Sequence, residues 1–396
     1  MKILIAGDLR VGEKSNFSID NINDKINAND YFLFNLESPI VNKAKVEPIP
    51  KNGPNLCMYA DSLSSILKYN HKIIMAGANN HLGDFGEEGI YGTLKFFKDN
   101  DILKVGCGKN IAEASKPLIL KDNVALVAIA ENEFGMASED KAGANPLKIE
   151  KNLIQVMDLT REGYTVVVYF HGGNEYSPIP NPFIKRLYRS FINAGAKAVI
   201  GNHTHCPQGY ELYKEGLIFY SLGNFVFEKR VPSGLKNKLK QKIKKLIRDE
   251  IPNFWYIGYL VALDMENAKI NFELIPVIYE NDQLQRMEHK QKEHFLQYIK
   301  QLSDIINDKE EYTDLWNSWT SVQADEVQKK ISGFSYAKIH KEDKKFLAFK
   351  NQLTCESHRE LLLNMNYLIE NDKLEKYHDV DKIKFLQNPD NFGILK

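Results

Sequence analysis

Lys197-Ala198-Val199-Ile200-Gly201-Asn202-His203-Thr204-His205 decides how this chain is read. A short apolar run of strand character ends in two imidazoles one residue apart. Histidine is the commonest metal ligand near neutral pH, and α/β folds open their sites beyond the carboxyl ends of strands. Upstream, the same arrangement recurs four times. Gly7-Asp8 follows Ile3-Leu4-Ile5-Ala6, and Asn35-Leu36-Glu37 follows Tyr31-Phe32-Leu33-Phe34. Asn79-Asn80-His81 follows the run from Ile73 to Ala78, and His171-Gly172-Gly173-Asn174-Glu175 follows the run from Thr165 to Phe170. Asp, Glu, Asn and His delivered from several strand ends are the materials of a hydrolytic two-metal site.

Around these clusters the first 200 residues alternate β-rich runs with amphipathic stretches. Strands are expected at 2–6, 31–35, 73–77, 103–106, 117–121, 124–130, 165–170 and 197–200, with helices at 86–99, 150–162 and 182–194. That rhythm implies βαβ units and a largely parallel sheet. After residue 205 it changes. The runs 208–213 and 217–221 flank Lys214-Glu215-Gly216, a hairpin signal, and further strands are expected at 254–264 and 269–279. Antiparallel strands trailing a βα region suggest a second sheet packed on the first, hence a four-layer α/β/β/α sandwich over residues 1–280. Residues 281–396 read as a C-terminal helical extension, with helices at 282–306, 311–331, 342–352 and 356–372. An insertion at about 233–250 carries Leu235, Leu239, Ile243, Leu246 and Ile247 on one helical face and lysines on the rest. Such a basic amphipathic helix docks on its own core or touches an anionic membrane surface.

Composition excludes several classes. At 396 residues, with 43% hydrophobic and 26% charged side chains, the chain suits a large globular core. Its net charge of zero provides no field toward nucleic acid, and no nucleic-acid partner is expected. Cys57, Cys107, Cys206 and Cys355 are widely spaced, which argues against a disulfide framework and a cysteine zinc site. The initial strand runs straight into Asp8 and no stretch is apolar enough to span a bilayer. The expected location is cytoplasmic, at most peripheral to a membrane.

The order of motifs resembles the CapA family of bacterial capsule and poly-γ-glutamate synthesis proteins, within the calcineurin-like metallophosphoesterases. The resemblance rests on Gly7-Asp8-Leu9-Arg10, Asn35-Leu36-Glu37-Ser38-Pro39, Ala78-Asn79-Asn80-His81 with Asp84-Phe85-Gly86, and His171-Gly172-Gly173-Asn174-Glu175. It continues through Gly201-Asn202-His203-Thr204-His205 and Tyr220-Ser221-Leu222-Gly223-Asn224-Phe225. It implies a metallophosphoesterase-like domain in which Asp8 and His205 hold a first metal, Asn80, His171 and His203 a second, and Glu37 bridges both. His81 would donate a proton to the leaving group. One or two divalent ions, Mn, Zn or Fe, suit such carboxylate, carboxamide and imidazole donors. Where the superfamily places a histidine after the first aspartate this chain has Arg10, which cannot ligate a metal but matches a phosphate or carboxylate. Arg10, Glu175 and Asn224 are therefore the candidate substrate contacts, although Asn224 equally suits a tight Gly-Asn turn. The family's tryptophan after the fourth-motif histidine is Gly172 here.

These features point to a metal-dependent hydrolase acting on an anionic polymer or phosphorylated precursor in cell-surface polymer synthesis. A non-catalytic accessory protein that binds such a polymer, and a metal-dependent amide hydrolase acting on γ-glutamyl material, stand as alternatives. Oligomeric state is not legible in the sequence.

Overall fold

The computed structural model describes the chain except for residues 14, 43–45, 229–252, 266–269, 333–339, 341 and 396. The basic stretch 235–248 lies outside the described residues.

The strands in chain order are β1 (Lys2–Arg10), β2 (Tyr31–Leu36), β3 (Ile73–Ala76), β4 (Leu103–Val105), β5 (Cys107–Gly108), β6 (Leu118–Leu120), β7 (Val124–Ala130) and β8 (Gly143–Ala144). They continue as β9 (Thr165–His171), β10 (Ala198–Asn202), β11 (Tyr210–Tyr213), β12 (Gly216–Phe219), β13 (Asn224–Phe227), β14 (Ile257–Asp264), β15 (Asn271–Glu280) and β16 (Gln283–Arg286). One sheet runs β16-β15-β14-β1-β2-β3-β4, with β13 also paired to β1, and a second runs β11-β12-β10-β9-β7-β6. Both have a parallel centre, as the unbroken apolar runs require when both faces are covered.

The trailing strands do not build the second sheet. β14 pairs antiparallel with β1, and β15 and β16 follow it as an antiparallel meander that extends the first sheet, while the hairpin β11-β12 extends the second. The physical reason lies in the early strands, which already divide between two sheets and leave each with an edge to be capped. The helix expected from residue 282 starts later, at His289, because Gln283–Arg286 pairs with β15 as β16.

Alternation along β1 shows the layering. Ile3 and Ile5 join Leu33, Ile74 and the apolar residues of β7, β9 and β10 in the core between the sheets. Leu4 and Ala6 point the other way and join Phe32, Phe34 and Met75 against Ile26, Ile66, Ile90 and Phe97. The Tyr169 hydroxyl crosses between the sheets to the carbonyl of Ala6 at 2.7 Å. On the far side of the second sheet lie the helices Ile149–Arg161 and Pro182–Asn193. The latter starts on an Asn181 cap with Pro182 in its first turn, and buries Ile184, Leu187, Tyr188 and Phe191 at helical spacing. Helices therefore cover both outer faces of the sandwich. The C-terminal helices His289–Asn307, Lys309–Ser332, Lys344–Thr354, Glu356–Glu370 and Val380–Gln387 continue this covering, several of their apolar residues joining the same core.

Two glycines allow the strand ends to converge. A Cβ on Gly7 would lie 1.8 Å from the Gly223 carbonyl oxygen, and one on Gly201 would lie 2.0 Å from that of Tyr220. The ends of β1 and β10 thus share one turn, Tyr220–Asn224, with no space for a methyl group. Gly7→Ala is expected to lower stability in chemical denaturation by about 3 kcal/mol or to prevent folding. Ile119→Ala, at an exposed position on β6, is expected to stay within about 0.5 kcal/mol of the parent chain.

Candidate metal centre

Five strand ends deliver the site. Asp8 lies where the β1–β13 register is broken by an irregularity between Asp8 and Leu9, a device that re-aims side chains at strand ends. Its Oδ1 accepts from Asn35 Nδ2 at 2.8 Å and its Oδ2 from the His203 amide at 2.9 Å. Asn35 in turn accepts from Asn79 at 3.0 Å, tying the ends of β1, β2 and the loop after β3 together. His203 and His205 both adopt left-handed backbone conformations, with φ of 93° and 53°. Residues other than glycine hold such angles only where their surroundings fix them. The Asp8–His203 hydrogen bond is one such fixture.

Two groups of ligating atoms share Glu37. Glu37, His171 and His203 form one and Asp8, Glu37 and His205 the other, the atoms of each lying within 4.8 Å of one another. In the first, His171 Nε2 lies 3.1 Å from His203 Nδ1, 3.1 Å from Asn80 Oδ1 and 3.8 Å from Glu37 Oε1. In the second, His205 lies 3.8 Å from Asp8 Oδ2 through Nδ1 and 3.6 Å from Glu37 Oε1 through Nε2. Ligand atoms held about 2.1 Å from one ion stand about 3 to 3.5 Å apart at tetrahedral or octahedral angles, which is near the spacing seen.

Electrostatics favour a cation here. Both carboxylate oxygens of Glu37 are buried without a hydrogen-bond partner among the described residues, an arrangement that costs free energy unless a charge is supplied. Burial, followed by the negative charge of Asp8, pushes the Glu37 carboxyl well above its usual range. For Asp8, burial acts upward, but hydrogen bonding and charge from His171, and charge from His205, outweigh it and hold the carboxyl low. Burial pushes His205 down to about 4 and His203 well below the ordinary imidazole range. Both rings are thus neutral ligands, with lone pairs available. Oxygen and nitrogen acceptors with no competing donor on Glu37 fit a hard or borderline divalent ion.

The remaining candidates fall around this centre. His81 is buried beside it; its Nδ1 lies 2.7 Å from Asp84 Oδ2, and Lys51 Nζ lies 3.2 Å from the same nitrogen and pairs with Asp84 Oδ1. Burial, then the Lys51 charge, lowers the His81 pKa. Asn224 Oδ1 lies 2.9 Å from His205 Nδ1 while its Nδ2 donates to the Trp255 carbonyl at 3.0 Å, so it orients the ring and leaves Nε2 on the Glu37 side. Trp255 also lies beside His205, with ring centroids 4.6 Å apart and planes tilted by 41°. Arg10 is almost fully buried and donates through Nη1 to the Glu228 carbonyl. Glu175 is exposed on the loop after β9, from where its charge still acts on Glu37.

Three residues not singled out in the sequence belong to this region. Lys51 comes from a loop with no strand or helix signal. Glu131 and Glu133 follow β7, so the rule that finds polar clusters at the ends of apolar runs reaches them as well. Glu133 Oε1 lies 3.7 Å from His203 Nε2. Glu131 fills the space beside Gly172, where an added Cβ would lie 2.6 Å from Glu131 Cγ. His358 is half-buried and acts electrostatically on Glu133.

Elemental analysis tests the ligand set: His203→Ala and His205→Ala are each expected to lose bound metal while retaining the parent circular dichroism spectrum. Asn224→Ala, which removes only an orienting partner, is expected to weaken metal affinity about 10- to 100-fold.

The chain is 28% identical over 250 residues to a capsule biosynthesis protein CapA of Bacillus anthracis, covering 58% of this chain and 60% of that one. It is 29% identical over 207 residues to a PGA biosynthesis protein CapA of Bacillus subtilis strain 168, covering 51% and 54% respectively. A probable polyglutamine synthesis accessory protein of Mycobacterium tuberculosis is 25% identical over 215 residues, covering 50% of this chain and 56% of that one. The alignments thus span little more than half the length of each of these relatives. The model of the family described as bacterial capsule synthesis protein PGA_cap matches residues 6–229, from the strand that carries Asp8 to the one that starts at Asn224. The chain belongs to the bacterial capsule synthesis protein family.

Proposed function

We propose that this chain is a metal-dependent phosphoester hydrolase acting on an anionic polymer or its phosphorylated precursor during capsule or poly-γ-glutamate synthesis. The observation that carries the reading is Glu37, a buried carboxylate shared by two groups of ligating atoms and without a hydrogen bond among the described residues. Asp8 and His205 would hold one divalent ion with Glu37, and Asn80, His171 and His203 the other. When bound, two such ions supply an activated water and clamp phosphoryl oxygens on both sides of the displacement.

The protein's own groups provide the rest. With Nδ1 engaged by Asp84, His81 exchanges its catalytic proton at Nε2. An incoming anion favours the imidazolium against the Lys51 charge that disfavours it, so proton loading follows substrate binding. Arg10 is fastened to the Glu228 carbonyl and lies opposite Phe227 in the β1–β13 register. The polymer context is supported by family membership and by the names of the relatives. No helix among the described residues is long and apolar enough to cross a membrane.

Turnover of a phosphomonoester and a phosphodiester with added Mn²⁺ tests the proposal. His81→Ala is expected to lower kcat by about 10²- to 10³-fold with metal content unchanged. A Mn²⁺-loaded chain with no turnover of either ester would instead favour an accessory, polymer-binding role.

A further inference from the structure

The metal centre is approached from outside by two helices that the family match does not reach. Glu131-Asn132-Glu133 follows β7, and each residue of this short segment has a partner in the C-terminal extension. The Glu131 carboxylate accepts from the Ser357 amide at 2.9 Å and from its hydroxyl at 2.7 Å, in the first turn of the helix Glu356–Glu370. The Asn132 amide and side chain donate to the Glu356 carboxylate at 3.1 and 2.6 Å. Glu133 accepts from Asn351 Nδ2 at 3.2 Å, in the helix Lys344–Thr354. An acceptor carboxylate at a helix N-terminus is well placed, since the first-turn amides have no partner inside the helix.

The same segment faces the metal centre. Glu131 also accepts from the Gly173 amide at 2.8 Å, two residues from His171. Glu133 Oε1 lies 3.7 Å from His203 Nε2, the ring nitrogen opposite the one turned toward His171. For His203 to offer a lone pair at Nδ1, its proton must sit at Nε2. A carboxylate on that side favours that tautomer by its charge, the role such partners play for metal-ligating histidines. The space for this bracket comes from Gly172, because any side chain there would collide with Glu131.

We propose that Glu133 is a positioning residue for His203, held by the C-terminal helices through Asn351, so that tight metal binding at the Glu37–His171–His203 position depends on that extension. The proposal rests on the reading of His203 as a metal ligand.

Calorimetric titration of the full chain with Mn²⁺ alone, freed of metal beforehand, tests it. Glu133→Gln is expected to weaken one Mn²⁺ position about 10- to 100-fold and to leave the other unchanged, with the thermal unfolding midpoint of the metal-free chain preserved. Asn351→Ala is expected to weaken the same position by a smaller factor, and Glu133→Asp to restore part of the loss. In a Glu133→Gln chain that also carries His203→Ala, no further loss is expected beyond that of His203→Ala. Glu360→Ala provides the control, since Glu360 stands on the same helix but pairs with Arg186. Parental affinity at both positions in Glu133→Gln, or an equal loss in Glu360→Ala, overturns the positioning role while the metal reading stands. Absence of Mn²⁺ binding by the unaltered chain overturns both.

Discussion

A buried carboxylate without a hydrogen bond among the described residues governs this structure. Glu37 lies at a strand end with neither oxygen hydrogen-bonded by a described residue, and Asp8 stands close enough to repel it. Two imidazoles on the facing sheet, His203 and His205, are kept neutral by burial, and both turn their backbones through left-handed angles to reach the centre beside His171. Groups of this kind separate in water. They stay together because the two sheets are fastened, by Tyr169 to Ala6 and by the glycine contacts at Gly7 and Gly201, before any of them is satisfied. The fold thus stores unfavourable electrostatics at one point, which a divalent cation would relieve.

Much of the architecture was legible because its signals are local. Parallel strands buried on both faces read as continuous apolar runs, and the helix Pro182–Asn193, expected at 182–194, is fixed locally by its Asn cap, its proline and its spacing. The division of strands between sheets was not legible. It depends on which edge each late strand finds, and β14 pairs with β1 across nearly the whole domain. The short β16 was absorbed into an expected helix, since four residues of mixed polarity carry no period long enough to separate the two.

For the centre itself, the end-of-strand rule led to residues that meet in space, from Asp8 and Glu37 to His203 and His205. Its application stopped short of β7, although Glu131 and Glu133 satisfy it equally well. Lys51 left no signal at all: a lysine in a loop reads as solvated, and only the tertiary structure shows it paired with Asp84 in the interior. Arg10 and Glu175 were considered for their chemistry alone. One is fastened to a backbone carbonyl and the other lies exposed on its loop.

The forked pairing of β1 has a consequence for synthesis of the chain. Its first half lies against β14 and its second against β13, so Lys2 meets Asp264 only when both ends of the domain exist. β1 is synthesised before either of its partners on that side, so one of its edges stays open while most of the domain is translated. Loop closure over that span makes the final pairing slow. Asp8, Glu37 and Asn80 therefore exist in the nascent chain well before His203 and His205, and the cluster is completed only as the sandwich closes.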